Sequence, residues 1–210
     1  TSEVIAAIPR SNLNDVNEAV LAADKARDNW SSLSLDERRK WLEKIANALE
    51  ARSEEIAKLE SLDTGKPIKI ARAVDASRSV ANFRFFAEFS KDFHEQKFLM
   101  EDATNHVIFK PVGIAGLITP WNLPLYLLSW KIAPAIVMGN TVVAKPSELT
   151  PLTANLLAEV FDEVGLPAGV VNIVHGFGHE TGQAIVSHPH VNLISFTGGT
   201  ITGKKVAETA

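Results

Sequence analysis

Between Ile114 and Phe196 the chain alternates short β-rich runs with helical ones, and the period of that alternation constrains the fold more than any other feature. The β-rich runs 114–118, 141–144, 170–174 and 193–196 precede the helical runs 123–137, 152–164, 181–186 and 200 onward. Taken from Ile114, Val142 and Val170, the strand starts fall 28 residues apart, the length of one strand plus one crossover helix. Four such units predict an α/β fold: an open parallel sheet with right-handed crossovers and helices on both faces. A strand covered on both sides reads as a continuous apolar run, and Val170-Val-Asn-Ile-Val174 is close to that. The segment 105–110 reads as one more strand, ahead of the repeat and outside the sheet.

An N-terminal helical region comes first. Asn12-Leu-Asn-Asp15 offers a capping Asn and a first-turn acid, and Val16, Ala19, Val20, Ala23 and Ala26 then recur at helical spacing up to Trp30. Ser34-Leu-Asp-Glu37 has the form of a capping box, with Leu42, Ile45 and Leu49 as the stripe behind it. Gly65, followed by Pro67, closes that helical region, since Gly permits a left-handed cap and Pro cannot continue a helix. A third helical stretch is predicted over 74–89, burying Val80, Phe83 and Ala87. The aromatics Phe83, Phe85, Phe86, Phe89 and Phe93 read as core or interface rather than as a ligand cage.

Composition excludes several functions. The chain has 21 Lys+Arg against 25 Asp+Glu, a formal net charge of −4, with the basic residues scattered. Binding to nucleic acid by bulk charge is therefore not expected. No apolar run reaches the ~20 residues needed to cross a bilayer. Cysteine is absent, which excludes disulfides, Cys-ligated zinc, iron–sulfur clusters and any thiol nucleophile within these 210 residues. The chain opens at Thr1 without an initiator Met and reads as a processed or partial product. The compartment expected is the cytoplasm, with organelle targeting left open.

In an open parallel sheet, ligands sit at the carboxyl ends of the strands. Those ends read Thr119-Pro-Trp-Asn122, Lys145-Pro-Ser147-Glu148, Gly176-Phe-Gly178-His-Glu-Thr-Gly182 and Thr197-Gly198-Gly199-Thr-Ile-Thr-Gly203. Each is polar or glycine-rich, and each precedes a helix start with its partial positive charge. Together they describe a site for an anionic, sugar-bearing ligand such as a nucleotide, with Lys145 and Glu148 placed for hydroxyls. For Glu148 the plainer alternative is an acid favoured by the helix dipole.

Other templates fit less well. Gly176-x-Gly178-x-x-x-Gly182 has one residue too many for the G-x-G-x-x-G dinucleotide fingerprint. Gly198-x-x-x-x-Gly203-Lys204 matches most of a P-loop but has Lys205 where a magnesium-binding Ser or Thr is required, so a P-loop NTPase is the weaker alternative. No G-x-S-x-G elbow places a serine nucleophile. His175 and His179 lack the Glu of a zinc-binding helix, and all six histidines read as structural or solvated, with no metal site expected.

At the same strand ends the sequence resembles the aldehyde dehydrogenase superfamily. The matching stretches are Pro111-Val-Gly-Ile-Ala-Gly116, Ile118-Thr-Pro-Trp-Asn-Leu-Pro124, Gly139-Asn-Thr-Val-Val-Ala-Lys-Pro-Ser-Glu148, Gly165-Leu-Pro-Ala-Gly-Val-Val-Asn172 and Ile194-Ser-Phe-Thr-Gly198. Within that superfamily, Asn122-Leu-Pro-Leu-Tyr-Leu-Leu128 and Thr197-Gly-Gly-Thr200 look most like muconic-semialdehyde dehydrogenases. The resemblance implies a Rossmann-like domain that binds NAD without the usual glycine fingerprint. It implies that Lys145 and Glu148 hold the adenosine ribose, that Ile118, Thr119, Pro120 and Trp121 line the cofactor, and that Phe196, Thr197 and Gly198 meet its pyrophosphate and nicotinamide side. Asn122 matches the family's oxyanion-hole amide, against the plainer reading of a helix N-cap. Gly199 and Thr202 depart from the family, where a phosphate-binding Ser and an aliphatic residue are common.

By the same resemblance, residues 1–95 form a helical part, 96–112 an arm that builds homodimers or homotetramers, and 113–210 the cofactor-binding units. Family members attack the aldehyde with a Cys thiolate and hydrolyse the thioester with a Glu-activated water. Both motifs lie beyond the counterpart of Gly203, so the chain is expected to be part of a longer enzyme and inactive alone. The alternative from another class is a non-catalytic nucleotide-binding or interaction protein on the same fold.

Overall fold

The computed structural model describes residues 3–93 and 95–210. The start of the chain at Thr1 and the reading of His94 as structural or solvated lie outside the described residues. Among those described, the order is α1 (Leu13–Ser32), α2 (Leu35–Ala51), α3 (Ser53–Thr64), α4 (Ile68–Ile70) and α5 (Ser77–Phe89), then a hairpin of β1 (Gln96–Leu99) and β2 (Thr104–Val107). There follow β3 (Ile114–Ile118), α6 (Pro124–Val137), β4 (Thr141–Lys145), α7 (Leu152–Glu163), β5 (Val171–Ile173), α8 (Gln183–Val186), β6 (Leu193–Phe196) and α9 (Thr200–Thr209). Two π-helical turns, Ala71–Ala76 and Gly178–Gly182, lead directly into α5 and α8.

β3 to β6 form one parallel sheet in the order β5-β4-β3-β6. The chain steps outward from β3 to β5, then crosses back to place β6 on the other side of β3. That reversal opens a crevice between the carboxyl ends of β3 and β6. Alternation along the two central strands divides the core. Ala115, Leu117, Val142 and Ala144 join Leu42, Ile45, Phe83 and the apolar faces of α6 and α7. Ile114 and Val143 join Val16, Val20 and Ala23 of α1 and Ile185 of α8. Helices therefore cover both faces, and α1, first in the chain, supplies one of them. Burial of each of these Val, Leu, Ile and Phe side chains is worth roughly 1.5–3 kcal/mol.

The helix starts at Asn12 and Ser34 form as reciprocal capping boxes, and Gly65 closes α3 in the left-handed region with φ 75°. Several elements differ from the sequence expectation. The single helix expected behind Ser34 breaks at Arg52, whose guanidinium bridges Glu55 and, on α7, Glu159. The third helical stretch begins at Ile68, not 74, because a π turn carries the chain into α5. The run 170–174 yields only the short β5, half-buried at the sheet's edge, where one flank lacks a neighbouring strand. The strand expected at 105–110 is Thr104–Val107, and it pairs antiparallel with β1, whose polar start at Gln96 and Lys97 hid it. Every residue of this hairpin's strands is exposed. Phe83 is buried and Phe86 packs on the core, whereas Phe85 and Phe89 stack on each other at the surface.

Candidate functional site

A cleft of about 530 Å³ lies at the carboxyl edge of the sheet, where the ends of β3, β4 and β6 face the π turn before α8 and the start of α9. Ile118, Thr119, Pro120 and Trp121 line it from β3, and Lys145, Ser147 and Glu148 from β4. Gly178 and Gly182 line it from the π turn, and Phe196, Thr197, Gly198 and Gly199 from β6. His179, Thr202 and Lys205 also line it, as do Gln183, Val186 and Val206, which the sequence did not single out. A backbone bond from Thr197 N–H to Ile118 carbonyl, 3.0 Å, holds the ends of β6 and β3 together at its floor. A larger open groove, about 950 Å³, lies between α2, α3 and α5, but its charged walls pair with each other as Arg72–Glu54 and Arg84–Glu50.

The cleft is polar at one end. Lys145, the last residue of β4, is buried, and its Nζ donates to the Pro146 carbonyl at 2.9 Å and to the Glu148 carboxylate at 3.0 Å. Burial alone pushes the Glu148 carboxyl up. Its own backbone amide, Lys145 and the Gly178 amide outweigh that and leave it below the usual carboxylate range. Glu148 sits in the turn before α7, which starts at Leu152, so it is not an acid of that helix's first turn. Behind it, burial and then the Lys145 charge lower the pKa of His175, keeping the imidazole neutral.

Several features leave room and bonding capacity for a polar ligand. Thr119 Oγ1 is buried with no hydrogen-bond partner among the described residues. At Gly178 and Gly199 nothing lies within 4 Å of where a Cβ would stand, so a ligand can approach the backbone directly. The N-cap of α9 is Gly199 and makes no side-chain cap, which leaves first-turn amides free for an anion.

Asn122 is not among the cleft's lining residues. It is exposed, in the loop between β3 and α6. The N-cap of α6 is Leu123, without a side-chain cap, so the reading of Asn122 as the cap does not hold. The cap comes from α3: Glu60 Oε1 accepts from Leu125 N–H at 3.0 Å and from Thr153 Oγ1–H at 2.9 Å. Asp63 likewise accepts from Leu152 N–H at the start of α7. Lys66 Nζ donates to both Asp75 carboxylate oxygens at 2.8 Å and to the Asn122 carbonyl at 3.3 Å. Sequence reasoning missed Glu60, Lys66 and Asp75. The available signal was Glu60 itself, a charge on the buried stripe Ile56-Ala57-Glu60 of α3.

Residues 1–210 match the sequence model of the aldehyde dehydrogenase family over their whole length. The chain belongs to the aldehyde dehydrogenase family. It is 52% identical over 211 residues to a 2-aminomuconic semialdehyde dehydrogenase of Danio rerio, covering 99% of this chain and 43% of that protein. It is 44% identical over 215 residues to a 2-hydroxymuconic semialdehyde dehydrogenase of Pseudomonas sp. (strain CF600), covering 99% and 44%. Its fold superposes on the NAD+ complex of an aldehyde dehydrogenase from Bacillus cereus with a TM-score of 0.96 and 40% identity, covering 100% of this chain and 43% of that one. The chain therefore spans less than half the length of the aldehyde dehydrogenases it matches. Among the described residues, no helix is long and apolar enough to cross a membrane.

Proposed function

We propose that these residues are the cofactor-binding portion of an enzyme that oxidises an aldehyde, of the semialdehyde class, to a carboxylic acid with NAD. The observation that carries this reading is the convergence of the β3, β4 and β6 ends with the Gly178–Gly182 turn on one polar cleft. The names of the relatives and the NAD-bound neighbour support it. Bound NAD supplies the hydride acceptor. Glu148 and Lys145 hold the ribose hydroxyls, and the open N-terminus of α9 with Gly198 and Gly199 takes the pyrophosphate. Trp121, Phe196 and Thr197 flank the nicotinamide side. Asn122 donates its side-chain amide to the oxyanion of the tetrahedral adduct.

The chain contains no cysteine, so the thiolate that captures the aldehyde in this family is not among these residues. The 210-residue chain alone is therefore expected to turn over no aldehyde. We assign 1–95 as the helical part, 96–112 as an oligomerisation arm and 113–210 as the cofactor-binding units. The exposed apolar side chains Phe98, Leu99 and Met100 support the arm and a homodimer or homotetramer.

Titration of the chain with NAD, read through the part of its tryptophan fluorescence change that Trp121→Phe removes, tests the cofactor site. Joining residues 1–210 in frame to the remainder of the Danio rerio relative tests the activity. NAD-dependent oxidation of a muconic semialdehyde is expected from the chimera. NAD binding without turnover in a folded chimera would favour the non-catalytic reading instead.

A further inference from the structure

The segment before α1 lies across the back of the turn that walls the cleft. Ser11 N–H donates to the His175 carbonyl at 3.0 Å, and the buried Thr181 Oγ1–H returns a bond to the Ser11 carbonyl at 2.5 Å. Next to it, Arg10 Nε donates to Glu180 Oε2 at 2.8 Å while a second guanidinium nitrogen takes Oε1. That planar fork also stacks over Phe177, 5.1 Å from the ring centroid. The residue that lets the loop close on this segment is Gly176. Its φ is 150°, and a Cβ there would stand 2.0 Å from Thr181 Oγ1 and 3.0 Å from the Ser11 carbonyl.

Glu180 and Thr181 sit inside the π turn whose two ends, Gly178 and Gly182, line the cleft. A Cβ at Gly182 would stand 3.6 Å from Cδ of Lys145, whose Nζ donates to the Glu148 carboxylate at 3.0 Å, so the turn packs on the lysine that holds that carboxylate. A contiguous route thus runs from the N-terminal segment through the turn to the carboxylate at the polar end of the cleft. π turns are rare and recur at functional sites, and this one leads into the short helix α8. The contacts made to it by residues 10 and 11 come from about 170 positions away in sequence.

We propose that Arg10 and Ser11 form a strap that positions the Gly178–Gly182 turn, and through it Glu148, for the adenosine-ribose end of the cofactor. Arg10, Ser11, Glu180 and Thr181 are positioning residues and touch no ligand. The inference rests on the cofactor reading of the cleft given above.

The test is titration of the chain and its Arg10→Ala and Thr181→Val variants with NAD, NADP, AMP and nicotinamide mononucleotide. Both variants should bind NAD and AMP about threefold to tenfold more weakly, the loss expected for one or two net hydrogen bonds. Nicotinamide mononucleotide, which lacks the adenosine ribose, should bind as before. The preference for NAD over NADP should narrow, and Arg10→Lys should recover part of the loss, because it keeps the charge but not the fork. Arg10 is on the surface, so its variant keeps the test open if Thr181→Val fails to fold. NAD and AMP binding at the unmutated level in folded variants overturns the strap, as does an equal loss for all four ligands. An unmutated chain that binds no NAD removes the cofactor reading itself, and the strap with it.

Discussion

Glu60 Oε1 accepts the backbone N–H of Leu125, 65 residues later, at 3.0 Å, so a carboxyl on α3 caps the first turn of α6. The same carboxyl is fully buried, and its other oxygen has no hydrogen-bond partner among the described residues. Its pKa is pushed up to about 7, chiefly by burial and in part by the facing Asp75, against the opposing pull of the Leu125 N–H, Thr153 and Lys66.

Stability should therefore depend on pH through Glu60. Between the ordinary value of 4.5 and about 7 the folded state holds a proton that the unfolded chain has released. Stability contributed at this site falls as pH rises through that window, by up to about 3 kcal/mol. Glu60→Gln keeps an acceptor for Leu125 and removes the titration. Denaturant unfolding between those pH values should show a falling slope in the unmutated chain and a flatter one in the variant. Equal slopes would refute the assignment.

Asn122 offers a test of chemistry against structure. Leu123, not Asn122, is the N-cap of α6, and the helix start is capped by Glu60. Asn122→Ala should then leave the melting temperature and NAD affinity of the chimera almost unchanged. Its kcat should fall by about 10²–10³, the usual effect of removing one oxyanion donor. Normal turnover in the variant would mean that the amide does not meet the reacting oxygen.

The sheet and the cleft were legible in the sequence for a definite reason. Strand β3 is Ile114–Ile118 and β6 is Leu193–Phe196, as read from the apolar runs, because both are short, continuous and bounded by Gly, Thr and Pro. Loops after such strands must gather at one edge, which brings Thr119, Lys145 and Gly198 together before any coordinates are known. The supports behind that edge were not legible. Glu60 and Lys66 act on Leu125 and Asn122 across the fold, and Arg10 acts on Glu180, so no local pattern joins them. The break at Arg52 was hidden for a similar reason, since its partner Glu159 comes from α7.

Gly116 tests how tightly β3 meets β6 beneath the cleft. A Cβ at this position would stand 2.7 Å from both Ile185 Cγ2 and Ile194 Cδ1 and 3.1 Å from Val191 Cγ1. These are branched side chains in a packed layer, with little room to yield. Gly116→Ala should cost about 1–3 kcal/mol by overpacking. Thermal unfolding should show a Tm lower by about 2–4 °C for each kcal/mol. An unchanged Tm would show that the α8–β6 layer is looser than its geometry indicates.

On the proposed reading of the cleft, Glu148 sets the choice between NAD and NADP. Lys145 Nζ holds its carboxylate at 3.0 Å, and with the backbone amides keeps it ionised below the usual range, so it carries a full negative charge at neutral pH. Two ribose hydroxyls can donate to that carboxylate, whereas a 2′-phosphate in the same place meets like charge and loses a donor. NAD should bind the chain at least about tenfold more tightly than NADP, a difference of about 1.4 kcal/mol. In Glu148→Gln the side chain keeps its length and one acceptor but loses its charge. NAD should then bind more weakly and NADP more tightly, so the two Kd values converge. Lys145 is freed of its partner in that variant and offers the 2′-phosphate a cation, which pushes in the same direction. Because the carboxyl stays ionised well below neutrality, the preference in the unmutated chain should not decline as pH is lowered from about 8 to 7. Equal Kd values for NAD and NADP in the unmutated chain would remove Glu148 from the ribose site.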